Sequence, residues 1–201
     1  MLLIGALTFI GCVTEDKNEA SVERFSKVLN EYYQKQDSCV LIHKDIYFPT
    51  DIQKADKQRL SVQQAYEKAG LVKLTAKKIN PSGISYGKVE KVDGYHVELT
   101  PKGEKELITT KGFYSKKGFC AGSYKIEEII NYSKPTALKG YTISRVKFKM
   151  KATNLKPWAK ELVANKEFKP FQDKLLTIQD AKAVLVLTEM KGWVHEKDFE
   201  K

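Results

Sequence analysis

Tyr141-Thr142-Ile143-Ser144-Arg145-Val146-Lys147-Phe148-Lys149-Met150-Lys151-Ala152 is the stretch on which the fold turns. From Arg145 to Lys151 charged and apolar residues alternate strictly, and a β-strand sends successive side chains to opposite faces. The pattern predicts one long strand with Arg145, Lys147, Lys149 and Lys151 on a solvated face. Val146, Phe148 and Met150 then point at a core.

Other strands follow on either side. Ala181 to Met190 is apolar on both faces, with Ala183, Leu185 and Leu187 set against Val184 and Val186, and reads as a central, covered strand. Leu71 to Thr75 and Gly118 to Tyr132 have strand composition, and Asp93-Gly94 between two alternating runs (84–92 and 95–99) is the strongest hairpin signal. Helical spacing governs the N-terminal third. Val22, Phe25, Val28/Leu29 and Tyr32/Tyr33 predict a helix over about 20–36. Thr50-Asp51 reads as the cap of a second helix carrying Ile52, Ala55, Val62, Ala65, Tyr66 and Ala69, closed by Gly70. Pro157 and Lys169-Pro170 mark the starts of two shorter helices. The expected class is α+β: N-terminal helices followed by a mainly antiparallel sheet with short inserted helices.

Composition sets the bounds. The 201 residues are 42% hydrophobic and 30% charged, which excludes both a multi-span membrane protein and a disordered polyelectrolyte and suits one globular domain. Formal net charge is +10, and it is concentrated. Residues 111–151 hold 10 basic side chains against Glu127 and Glu128, a net of +8, while the flanking stretches are each near neutral. An acidic partner is therefore expected at the face of Arg145, Lys147, Lys149 and Lys151. A plainly solvated face is the alternative, since lysines also protect sheet edges.

The first thirteen residues carry no charge, and a polar stretch begins at Thr14. As a helix this run spans roughly 20 Å, too short for a hydrocarbon core of about 30 Å but suited to the h-region of a signal peptide. Phe9-Ile10-Gly11-Cys12 resembles the lipobox of bacterial lipoproteins, in which small residues precede a cysteine that is lipidated and becomes the mature N-terminus. Phe9 stands where that family usually has Leu, and no basic residue precedes the apolar run. The resemblance implies a signal peptide over 1–11, a lipidated tether over 12–20 and a single α+β domain over 21–201. It also implies membrane lipid as a partner through Cys12. Val13 rather than Asp after the cysteine favours the outer membrane, with the domain facing the periplasm. The region from Gly118-Phe119-Cys120-Ala121-Gly122 to Lys156-Pro157-Trp158-Ala159 is similar to Gram-negative envelope lipoproteins of unassigned activity.

With Cys12 lipidated, Cys39 and Cys120 remain as an even pair in an oxidising compartment. A disulfide between them would close a loop of about 80 residues, worth roughly 4.5 kcal/mol in the chain-entropy account. Two separate buried thiols are the alternative.

Catalytic patterns are missing from the sequence. It has neither a Gly-x-Ser-x-Gly elbow nor a phosphate-binding Gly-x4-Gly-Lys loop, and His43, His96 and His195 have no neighbour at metal-ligand spacing. No cofactor or metal is expected. Residues 60–103, with Ala69-Gly70-Leu71-Val72 and Leu99-Thr100-Pro101-Lys102-Gly103, resemble the helix, wing and turn of winged-helix regulators, which implies DNA binding. A signal peptide would carry the chain away from the chromosome, so nucleic acid is not an expected partner. The expected function is a non-enzymatic envelope lipoprotein binding an acidic envelope component or acidic protein. A winged-helix regulator and a periplasmic enzyme are the alternatives.

Overall fold

The computed structural model describes residues 16–35, 38–81, 90–110 and 115–199. Helix α1 (Val22–Tyr33) is capped by Ser21, whose hydroxyl accepts from the Arg24 N–H at 3.2 Å, and it buries Phe25, Val28, Leu29 and Tyr32. Strands β1 (Leu41–Ile42) and β2 (Thr50–Gln53) come next, then α2 (Lys57–Lys68), β3 (Val72–Ile79) and β4 (Val92–Leu99). After α3 (Pro101–Glu106) run β5 (Leu107–Thr109), β6 (Lys117–Cys120), β7 (Ser123–Tyr132), β8 (Thr136–Leu138) and β9 (Tyr141–Thr153). The chain finishes with α4 (Pro157–Val163), α5 (Lys169–Leu176), β10 (Gln179–Thr188), β11 (Gly192–His195) and α6 (Glu196–Phe199).

The class is α+β with antiparallel sheets throughout the described residues. The element order is more interleaved than the sequence pattern predicts, because β1 and β2 separate α1 from α2. One sheet runs β11-β10-β9-β7, with β8 paired to the start of β9; two three-stranded sheets run β2-β4-β3 and β1-β6-β5. Helix α1 covers the inner face of the first sheet, where Phe25 and Leu29 meet Val146, Phe148, Leu185 and Trp193. A second core gathers Tyr66 of α2, Phe119 of β6, Trp158 and Leu162 of α4, and Leu175 of α5. Tyr33 and Met150 border both cores.

Two local predictions change. Thr50-Asp51 opens a strand rather than a helix, and α2 starts later, at an Asp56 cap that accepts from the Arg59 N–H at 3.1 Å. Asp93-Gly94 is not a turn: both residues lie inside β4, paired with Lys78 and Lys77 of β3. Glycine is needed there because a Cβ at 94 would come within 2.4 Å of Ile79 Cδ1 and 2.7 Å of the Ile52 carbonyl. Gly70 does end its helix as expected, at φ +73°, with Leu71 N–H returning to the Tyr66 carbonyl at 2.9 Å.

The Leu99-Thr100-Pro101-Lys102-Gly103 segment then closes that helix end. Thr100 Oγ1 donates to the Gly70 carbonyl and Lys102 Nζ to the Ala69 carbonyl, both at 2.7 Å. A cation on the last carbonyls of a helix complements its dipole. The element order here is strand, helix, hairpin. Helix α2 is followed by the antiparallel β3–β4 pair, and β2 precedes α2.

Candidate functional site

Strand β9 is the longest among the described residues, and its alternation survives folding intact. Val146 and Phe148 are buried against α1, while Arg145, Lys147 and Lys151 are exposed and Lys149 is half-buried on the opposite face. The sequence-predicted residues therefore do share one surface. Charge along it is uneven. A β-bulge between Ile126 and Glu128 places an extra residue in β7, so that Glu127 and Glu128 both reach the lysines of β9. In a regular strand the two would point to opposite faces. Glu128 meets Lys149 at 2.9 Å, and Glu127 meets Lys151 at 3.0 Å. The Glu128 hydrogen bond holds Lys149 above the ordinary lysine value.

Toward the other end of the face this compensation stops. Lys147 stands directly opposite Lys182 of β10, and Arg145 lies two residues along from Lys147. Directly opposed strand residues have Cβ atoms about 4.5–5.5 Å apart, and like charges in that position repel. Among the described residues none of these three cations forms an ion pair. They line a groove of about 460 Å³ together with Asn131, Tyr132, Val184 and Glu196. A volume of that order suits a small ligand or one group of a larger one. Two or three cations around a partly apolar groove can hold a phosphate or carboxylate by charge-assisted hydrogen bonds.

Lys182 lies outside the alternating run that marks the β9 face. Its signal was present, since it is the only charged residue between Ala181 and Thr188, but only the strand register pairs it with Lys147.

Cys39 and Cys120 come together. They lie at the pairing of β1 with β6, where Leu41 is opposite Cys120, and share a small buried cluster with Leu41. Both are free thiols in the structure. The hydrogen bond between them, with burial, pushes the Cys39 thiol up, while that same hydrogen bond pulls the Cys120 thiol down. Cys12 and the lipobox residues lie outside the described residues.

The histidines stay apart. His43 packs edge-on against Phe171, and His96 Nδ1 lies 2.7 Å from Asp51. His195 is buried, stacked on Tyr32 at 3.7 Å, with Nδ1 accepting from the Lys197 N–H. No group of three or more His, Cys, Asp or Glu among the described residues is placed to hold a metal. Burial, aided by nearby Lys197, pushes His195 down to about 4. Because the folded value lies below the unfolded one of about 6.5, its contribution to stability is complete above pH 6.5 and lost as pH falls through 4. The loss is on the order of 3 kcal/mol. Denaturant midpoints taken from pH 7 to pH 4 should fall more steeply in the wild type than in His195→Phe. Parallel curves would show that His195 is not the group responsible.

Comparison of the chain with protein families, with curated proteins and with solved structures found no match. No helix among the described residues is long and apolar enough to cross a membrane.

Proposed function

We propose that the chain is a lipid-anchored protein of the bacterial cell envelope, held by acyl chains on Cys12 and facing the periplasm, with the outer membrane favoured. It binds an acidic envelope component or acidic protein and carries out no catalysis. The anchor rests on Phe9-Ile10-Gly11-Cys12 and the uncharged run before it. The binding half rests on one observation: Arg145, Lys147 and Lys182 converge on a groove without ion-pair partners among the described residues, whereas Lys149 and Lys151 are matched by glutamates. In the oxidising envelope the adjacent Cys39 and Cys120 thiols would be joined as a disulfide.

Fractionation with a palmitate analogue tests the anchor. Wild type should appear labelled in the membrane fraction and Cys12→Ala unlabelled; equal labelling of both sinks the lipoprotein reading. The same preparation, denatured without reductant and alkylated, should show neither Cys39 nor Cys120 modified. For the groove, lipopolysaccharide and isolated peptidoglycan serve as probes. The double variant Lys147→Glu/Lys182→Glu should bind the recognised probe at least about tenfold more weakly, the weight of one lost charge-assisted hydrogen bond. Lys149→Gln should change binding much less. Equal binding by wild type and the double variant returns the groove to an ordinary solvated surface.

A further inference from the structure

The described chain starts at a fixed place on the fold. The Trp193 N–H donates to the Lys17 carbonyl at 3.3 Å, and the Trp193 indole N–H donates to the Asn18 carbonyl at 2.9 Å. Lys17 Nζ in turn donates to the Met190 carbonyl at 2.9 Å. Lys17 and Asn18 are thereby pinned across the β10–β11 turn, at one end of the β11-β10-β9-β7 sheet. The approach is close: a Cβ on Gly192 would lie 2.3 Å from the Lys17 carbonyl oxygen.

That end of the sheet also gathers exposed apolar side chains. Nine large hydrophobic residues are exposed among the described residues, and four of them belong here: Leu138, Tyr141, Met190 and Phe199. Met190, at 87% exposure, tips the β10–β11 turn. Leu138 and Tyr141 bracket the β8–β9 turn beside it, where Leu187 pairs with Thr142, and Phe199 packs edge-on against Tyr141 at 4.8 Å. Each turn sets a lysine next to its apolar tip, Lys139 after Leu138 and Lys191 after Met190, with Glu189 the acidic neighbour. An apolar tip flanked by lysines suits the boundary between acyl chains and anionic headgroups.

We propose that this end of the domain rests on the lipid bilayer, with Met190 and Leu138 entering the headgroup region. The inference rests on Cys12 as the anchor. Four residue steps separate Cys12 from Asp16, and at no more than ~3.6 Å each they span at most about 14 Å. A lipid on Cys12 therefore holds the Lys17–Trp193 contact close to the membrane, and the apolar tips are the nearest surface of the fold to it. The opposite end of β10 lies about 33 Å away, at ten residues of ~3.3 Å.

The test uses the full lipidated chain, purified from membranes and reconstituted in vesicles of phosphatidylethanolamine and phosphatidylglycerol. Nitroxide is placed at Met190→Cys, Leu138→Cys or Ile178→Cys, all exposed positions, the last at the far end of β10. The ratio of oxygen to aqueous nickel accessibility should rise several-fold at 190 and 138 in vesicles and stay unchanged at 178. Mass spectrometry of the N-terminal peptide reports acylation of Cys12 in the same sample. An acylated chain whose label at 190 remains aqueous overturns the docking face while leaving the anchor in place. A chain lacking acyl groups removes the anchor and the docking proposal with it. Protection at 190 that is equal in detergent-free buffer without vesicles assigns the surface to a second copy of the chain and overturns the bilayer.

Discussion

Gly103→Ala should unfold the domain or cost more than about 4 kcal/mol, the largest effect expected of any single methyl group in this chain. Gly103 is buried in α3, and a Cβ there would lie 1.8 Å from the Leu71 carbonyl oxygen and 2.9 Å from its carbon. Those are backbone atoms, so no rotamer change relieves the clash. Either α3 or the start of β3 must move. Both are fixed: Thr100 N–H donates to the Leu71 carbonyl, and Thr100 and Lys102 hold the last carbonyls of α2. Overpacking usually costs 1–3 kcal/mol because side chains give way, and here none is available to do so. Gly140→Ala is the matched control. It has nothing within 4 Å, and only its φ of +83° penalises alanine, by roughly 1 kcal/mol. Urea unfolding of the two variants should separate them by several kcal/mol, and similar midpoints would mean that α3 is loosely docked.

Trp193→Ala comes second, with an expected loss of about 3–5 kcal/mol. Trp193 is 2% exposed, meets Phe25 edge-on at 5.1 Å, and sits where α1, β10 and β11 meet. Truncation leaves a cavity the size of an indole, and a strand fixed by neighbours on its inner side cannot collapse into it. It also removes the donor that holds the Asn18 carbonyl. Two readouts should therefore move together: the denaturant midpoint, and the rate at which protease cuts near Lys17. Trp193→Phe keeps most of the ring volume and loses the N–H, so it should recover stability better than it recovers protection of the tether. A Trp193→Ala loss below about 1 kcal/mol would place the indole outside the core.

Much of this fold could be read from period and punctuation. The alternation of Arg145 to Lys151 gave β9 and both its faces, and Pro157 and Lys169-Pro170 marked real helix starts. Errors arose where one local pattern serves two structures. Ile52 and Ala55 fit a helical stripe, yet Ile52 is the buried residue of a four-residue strand paired with Tyr95. Asp93-Gly94 is hairpin chemistry by composition, but the requirement there is for space, since Ile52 and Ile79 press on Gly94 from either side. The site itself was half legible. Its β9 cations follow from alternation alone, whereas their sorting into paired and unpaired groups depends on a bulge in β7 and on the register of β10. Neither is written in a single strand's pattern.

The length of β9 has a consequence for what the groove can meet. Arg145 and Lys147 lie four and six residues from Tyr141, so with the strand upright they stand about 13 and 20 Å above the tip. The screening length at physiological ionic strength is about 8 Å. Anionic headgroups beneath the tip would then be electrostatically remote from the groove, and their counterions would do little to quench it. At that height the three cations address whatever stands in the aqueous layer, which makes altitude above the bilayer as much a part of ligand choice as the charges themselves.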